Sequence, residues 1–321
     1  MNPCRSSDSS SIGFQRLSVI TVFVLVVLVT VGGVVRVTES GLGCPDWPLC
    51  HGQIVPPGNL ETRIEYSHRL IASIAGLLSL VMTVWVWAKY RDRLIFLIPS
   101  SVGLVLVVGQ GVLGGITVLT ELESELVTAH LALAQLLLAL YILVALFAVR
   151  GGTFSISKID RVGMLAIASA VLVYLLLLSG SIVTTSGASG VCNGWPFCQG
   201  VSFMSDRLTI IHMIHRYIAI AAGCVVLTTI WLTIKTFTSR SYSGIVSLVT
   251  GVLFLGQVFV GAIAVLGGLP SELRALHLTL GTLAWGSLIV MALLHCVDTS
   301  KPSMGNSPNN DDSSCLATVI Q

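Results

Sequence analysis

CPDWPLCHG at residues 44–52, followed by IEYSHR at 64–69, occurs twice in this chain. The second copies are CNGWPFCQG at 192–200 and IHMIHR at 211–216. Two more segments repeat in the same order: VGQGVLGGITVL at 108–119 with LGQVFVGAIAVL at 255–266, and ELVTAHLAL at 125–133 with ELRALHLTL at 272–280. The offset is 148 residues at the cysteines and 147 in the three segments that follow, so one insertion or deletion separates two otherwise collinear halves. The chain is therefore expected to fold as one unit built twice.

What kind of unit follows from composition. Of 321 residues, 54% are apolar and only 10% charged, with a mean hydropathy of +0.90. A soluble domain carries about a quarter charged residues, so the chain reads as an integral membrane protein. A net charge of +2 is too small to point to nucleic acid. The first apolar run spans 17–35, and no small-residue cleavage site follows it. It is long enough to cross about 30 Å of hydrocarbon, so it reads as a retained span. Seven further runs lie at about 65–88, 94–118, 126–149, 161–184, 208–234, 244–266 and 273–296. Lipid cannot satisfy backbone polar groups, so each is expected to be a helix.

The expected architecture is all-α: eight transmembrane helices in two pseudo-symmetric four-helix bundles. An even number of spans per half makes the repeat parallel, related by an axis near the membrane normal. The corresponding divisions are a tail at 1–16, a first half at 17–149, a linker at 150–160, a second half at 161–296 and a disordered tail at 297–321. Most of the Lys and Arg fall in the N-terminus, in the turns around Lys89 and Arg93, Arg150 and Lys158, and Lys235 and Arg240, and at Lys301. The positive-inside rule then places both termini in the cytoplasm and the cysteine loops outside. In a bacterial cell those loops face the oxidising periplasm.

Each half presents two histidines from alternate helices at similar depth near the outer face: His68 and His130, then His215 and His277. Imidazole inside a membrane helix is costly, and recurrence at equivalent places in a repeat argues for function over packing. Two histidines from facing helices of a bundle suit axial ligation of haem iron. Zinc would want further ligands in a closed site. Arg69 and Arg216 directly follow the first histidine of each pair, and either a haem propionate or the membrane interface suits such a cation. The halves differ at Glu65, which stands three residues before His68 on the same helical face, where the second half has His212. That asymmetry suggests one site for chemistry and one for electrons, with Glu65 accepting a proton or stabilising developing positive charge. A helix N-terminal acid is its plainer role.

The loops hold Cys44 and Cys50, and Cys192 and Cys198, each pair around a Trp-Pro. A five-residue spacer is compatible with a local disulfide, and both a bracing and a redox-cycling role are open to these thiols. His51, Gln110, Gln257, His295 and the acidic turn at Glu121, Glu123 and Glu125 read as loop, packing, interfacial or solvated residues, and Cys4 as inert.

Taken together, the eight spans, the CPDWPLC and CNGWPFC loops, EYSHR opening the second span, HR in the sixth and a His opening the fourth and eighth resemble the haem A synthase family. The resemblance covers residues 17–296. It implies oxidation of the C8 methyl of haem O to a formyl group, giving haem A for cytochrome oxidase. It also implies substrate haem O between His68 and His130, haem b between His215 and His277, a catalytic role for Glu65, and a disulfide at Cys44 and Cys50. The location would be the bacterial inner membrane. Candidate partners are haem O, the lipid bilayer, haem O synthase, an unidentified electron acceptor and a second copy of the chain. Removing four electrons from a methyl group calls for a relay, which a second haem can provide. Two readings compete: a dihaem b-type membrane electron carrier, and a membrane thiol-disulfide oxidoreductase.

Overall fold

The structure, a computed structural model, describes residues 10–56, 58–151, 153–156, 159–198, 206–237 and 240–300. Cys4, Arg5, Lys158, Gln199, Lys301 and the tail beyond residue 300 lie outside the described residues.

Eight helices long and apolar enough to cross a membrane account for nearly all of this. They are α1 (Ile12–Val37), α2 (Leu60–Lys89), α3 (Leu94–Leu119), α4 (Ser124–Arg150), α5 (Arg161–Thr185), α6 (Arg207–Thr236), α7 (Tyr242–Leu266) and α8 (Ser271–Cys296). A short antiparallel ribbon pairs Thr153–Ile156 with Val297–Ser300, joining the segment between the halves to the end of α8.

The helices outrun the apolar segments because polar residues cap them. Ser11 accepts from the Phe14 N–H and starts α1 five residues before the apolar run. Asn59 accepts from the Thr62 N–H at 2.8 Å and starts α2 five residues before its apolar run, while Asp206 accepts from the Leu208 and Thr209 N–H groups and starts α6 one residue before its own. His68 and His215 both lie about two turns inside their helices, which for His68 is one turn deeper than its apolar run suggests. At the opposite face α2, α4 and α6 carry Lys89, Arg150 and Lys235 in their last turns, cations that oppose the negative ends of the helix dipoles.

Neighbouring helices pack in a ring within each half: α1 on α2, α2 on α3, α3 on α4 and α4 on α1, then α5 on α6, α6 on α7, α7 on α8 and α8 on α5. Each ring has its own apolar core, one around Met82, Leu138, Tyr141 and Phe147, the other around Val226, Phe254, Leu288 and Met291. The halves meet where α1 lies on α8, α4 on α5, and α4 on α8. The first two joints carry the same hydrogen bond at repeat-equivalent residues. Ser124 Oγ donates to the Thr185 carbonyl at 3.1 Å, and Ser271 Oγ to the Val37 carbonyl at 3.3 Å. Across the centre, the Gln135 side-chain amide donates to Thr282 Oγ1 at 2.9 Å.

Candidate functional site

Both histidine pairs, Glu65 and His212 line one cavity of about 700 Å³ between the halves, a volume within the range of cofactor pockets. The members of each pair are near neighbours, His68 with His130 and His215 with His277. The helices make room for them by a shared device. A Cβ added at Gly32, Gly114, Gly180 or Gly261 would stand 3.0, 3.3, 3.2 or 2.6 Å from Cε1 of His68, His130, His215 or His277 respectively. Each imidazole edge thus rests on a bare glycine of the preceding helix, and all four glycines correspond in the repeat. Their near-constant offset from the histidines in both halves is the signal of this device that the sequence carries.

The two pairs differ in what holds their rings. Ser179 Oγ donates to the Leu176 carbonyl at 2.8 Å, so it accepts from Nδ1 of His215, also at 2.8 Å. His277 Nδ1 donates to the Gln257 carbonyl at 2.9 Å, because a carbonyl only accepts. Both rings are thereby fixed as the tautomer that carries its lone pair on Nε2, the atom that would bind a metal. The Gln257 side-chain amide meets His277 Nε2 at 3.2 Å, so ligation there requires that amide to turn away. In the first half, Nδ1 of both His68 and His130 is buried without a hydrogen-bond partner among the described residues. Gln110, the mate of Gln257, donates instead to the His130 backbone carbonyl at 2.9 Å.

Glu65 is 5% exposed and receives Arg69 Nε on Oε1 at 3.0 Å, one turn along α2. The rest of the Arg69 guanidinium belongs to the cysteine loop: Nη1 donates to the carbonyls of Asp46 and Leu49, and Nη2 to that of Cys44, each at 2.8 Å. Arg216 does the same in the second half, with Nη1 on the Gly194 carbonyl at 2.8 Å and the Pro196 carbonyl at 2.9 Å. Its Nη2 lies 3.1 Å from His212 Nε2, while His212 Nδ1 donates to the Ala188 carbonyl at 2.8 Å. The two arginines therefore clasp the loops to α2 and α6, and the residue one turn earlier, Glu65 or His212, completes each clasp.

Within the loops Cys44 is bonded to Cys50 and Cys192 to Cys198, which removes the nearest sulfurs as metal ligands in this state. Trp47 lies on Gly115 of α3, where a Cβ would stand 2.7 Å from its Cδ2, so the first loop closes over the cavity between α2 and α3. His51 stays in that loop, with Nε2 2.9 Å from the Gly43 carbonyl, and His295 lies apart at the other end of α8 beside Phe237. The structure thus gathers the four membrane histidines, Glu65, Arg69 and Arg216 along one cavity. To these it adds Gly32, Gly114, Gly180, Gly261 and Ser179, together with the cations Arg36 and Arg274.

This site chemistry suits haem: paired imidazoles from facing helices, two of them with engaged Nδ1 atoms, on a mostly apolar cavity. Comparisons point the same way. The family model COX15-CtaA, described as cytochrome oxidase assembly protein, matches residues 15–63 and 59–289. A protein named heme A synthase from Exiguobacterium sibiricum is 30% identical over 297 residues, covering 89% of this chain and 97% of that protein. Others of that name, from Symbiobacterium thermophilum and Shouchella clausii, are 29% and 28% identical, covering 87% and 79% of this chain and 94% and 87% of theirs. With both histidine pairs, both loops and six of its eight helices wholly inside the matched residues, the chain belongs to the COX15-CtaA family of cytochrome oxidase assembly proteins.

Proposed function

We propose that this protein is a haem A synthase: a multi-pass membrane oxidoreductase that converts the C8 methyl group of haem O to a formyl group. The observation that carries this reading is one cavity with two imidazole pairs, a buried carboxylate beside one pair and an imidazole in its place beside the other.

In this reading His68 and His130 hold the substrate haem O, and His215 and His277 would hold a resident haem b. The haem b supplies one-electron transfer, which the four-electron oxidation of a methyl to an aldehyde needs. Glu65 is the catalytic residue. It lies on the face of α2 that carries His68, and its ion pair with Arg69 keeps one carboxylate oxygen fixed while the other is free to accept a proton. The glycines under His68 and His130 let the rings seat deeply, and Trp47 with its loop shields the cavity from outside water. Arg69 and Arg216 act first as loop clasps, and any propionate contact falls to their remaining N–H groups.

The distribution of Lys and Arg supports an inner-membrane orientation with both termini cytoplasmic and the cysteine loops periplasmic. The repeat-equivalent joints between the halves support a parallel pseudo-symmetric arrangement. Haem O synthase and an electron acceptor are the partners this chemistry calls for.

Extraction of pigment from a heterologous host that makes haem O, expressing this chain, tests the proposal. Haem A is expected; a dihaem carrier would yield none. Glu65→Gln should leave haem bound while haem O or a partly oxidised intermediate accumulates, and undiminished haem A output would sink the catalytic role. The spectrum of purified protein should change with His215→Met.

A further inference from the structure

The cavity wall carries two further guanidinium groups: Arg36 in the last turn of α1 and Arg274 in the first turn of α8. Arg36 makes one side-chain hydrogen bond among the described residues, from Nη2 to the Thr184 carbonyl at 3.3 Å. Its Nε is buried with no acceptor. Arg274 and the exposed Glu39 are its charged neighbours, and no ion pair joins either arginine to a carboxylate among the described residues. Two cations on one wall of an apolar cavity repel each other and are costly to desolvate, so the arrangement favours an anion between them.

Their placement identifies which histidine pair the anion accompanies. Arg274 is three residues before His277, on the same face of α8. Arg36 stands one turn beyond Gly32, the seat of His68, but its side chain reaches across to the second half and bonds Thr184, one turn beyond the Gly180 on which His215 rests. Both guanidiniums therefore stand about one turn outward of the second pair. Their repeat mates are Thr184 for Arg36 and Val127 for Arg274, so neither guanidinium recurs in the other half. Arg69 and Arg216 are largely spent on loop carbonyls.

We propose that Arg36 and Arg274 form a carboxylate-binding subsite that takes the propionate groups of the porphyrin held between His215 and His277. This rests on the reading that His215 and His277 ligate a haem. Guanidinium suits the task because its planar fork binds carboxylate in a bidentate manner and stays charged in apolar surroundings. The consequence is a division of labour. The second half grips its porphyrin by two ligands and two cations, as a resident group requires. The first half has no second cation on α4 to match Arg274, and a substrate that must leave requires the weaker grip.

The test uses full-length protein with His130→Ala, so that only the second pair can hold iron from both faces. It is made in a haem-deficient host and loaded in detergent with iron protoporphyrin or its dimethyl ester, whose propionates carry no charge. Transfer to excess apomyoglobin reads the rate of loss. The ester should leave about 10- to 100-fold faster than the free acid, the range expected for charge-assisted hydrogen bonds. Adding Arg36→Gln and Arg274→Gln should bring the acid close to the rate of the ester. Equal rates for acid and ester before those changes, or an undiminished preference after them, overturns the subsite. A low-spin spectrum that never forms, or that His277→Met leaves unchanged, marks instead the failure of the ligation reading and takes the subsite with it.

Discussion

Ser179 Oγ lies 2.8 Å from Nδ1 of His215, and no hydroxyl stands in the equivalent place beside His68. The repeat mate of Ser179 is Val31, and Nδ1 of His68 finds no partner among the described residues. The two halves thus offer imidazoles of the same kind with different support. Both rings stand beside a repeat-equivalent backbone carbonyl, Leu28 for His68 and Leu176 for His215, and the added hydroxyl holds His215 the more firmly in one tautomer and one orientation.

Ser179→Ala is therefore expected to weaken retention of haem by the second pair, by about 10- to 100-fold, the usual effect of losing a partner behind a metal-binding histidine. Haem transfer to apomyoglobin and the reduction midpoint of the low-spin haem are the measurements. Ser179→Thr should keep most of the retention, because the hydroxyl is preserved.

A methyl group at Gly261 would stand 2.6 Å from Cε1 of His277, closer than real contacts allow. Gly261→Ala should push that ring off its seat, costing about 1–3 kcal/mol through overpacking and abolishing the low-spin spectrum. Gly256→Ala on the same helix is the control, since its nearest neighbour, Leu280 Cδ1, would be 3.8 Å away. Thermal unfolding and the haem spectrum of the two variants should diverge; matching behaviour would show that the glycine seats are incidental.

The first loop contains an acid clasp that the second lacks. Asp46 accepts from the Gly52 N–H at 2.8 Å and the His51 N–H at 2.6 Å, and its repeat mate is Gly194. Those N–H groups, Gly52 foremost, hold the Asp46 carboxyl below its ordinary value of 3.8. A depressed carboxylate pKa stabilises the loop above the ordinary value, and that contribution is lost as pH falls through the lower native value. Acid titration of Trp47 fluorescence should show the loop loosening below the ordinary carboxylate range. In Asp46→Asn that acid step should disappear; an unchanged step would assign it to another group.

The membrane class, the eight spans, the duplication and the four histidines were legible in the chain because each rests on local composition or on exact recurrence. Lipid admits helices wherever about twenty apolar residues run together, and a residue that recurs at a fixed offset needs no geometry to be noticed. The role of Arg69 was not legible in that way. Adjacency to His68 made it a candidate for the haem, but its Nη groups reach carbonyls more than 20 residues earlier in the chain, a contact set by how the loop folds back over α2.

Arg36 and Arg274 were hidden for the converse reason: they are 238 positions apart in a chain of 321 and share a cavity wall only because α1 packs on α8. The sequence by itself determined the elements, their number and the four recurring histidines, since those follow from local hydropathy and exact recurrence. Tertiary structure alone decided which ring rests on which glycine, which imidazoles are braced through Nδ1, and which arginines clasp loops while others face the cavity. Those are distances between helices, and helix packing depends on the shapes of both surfaces at once.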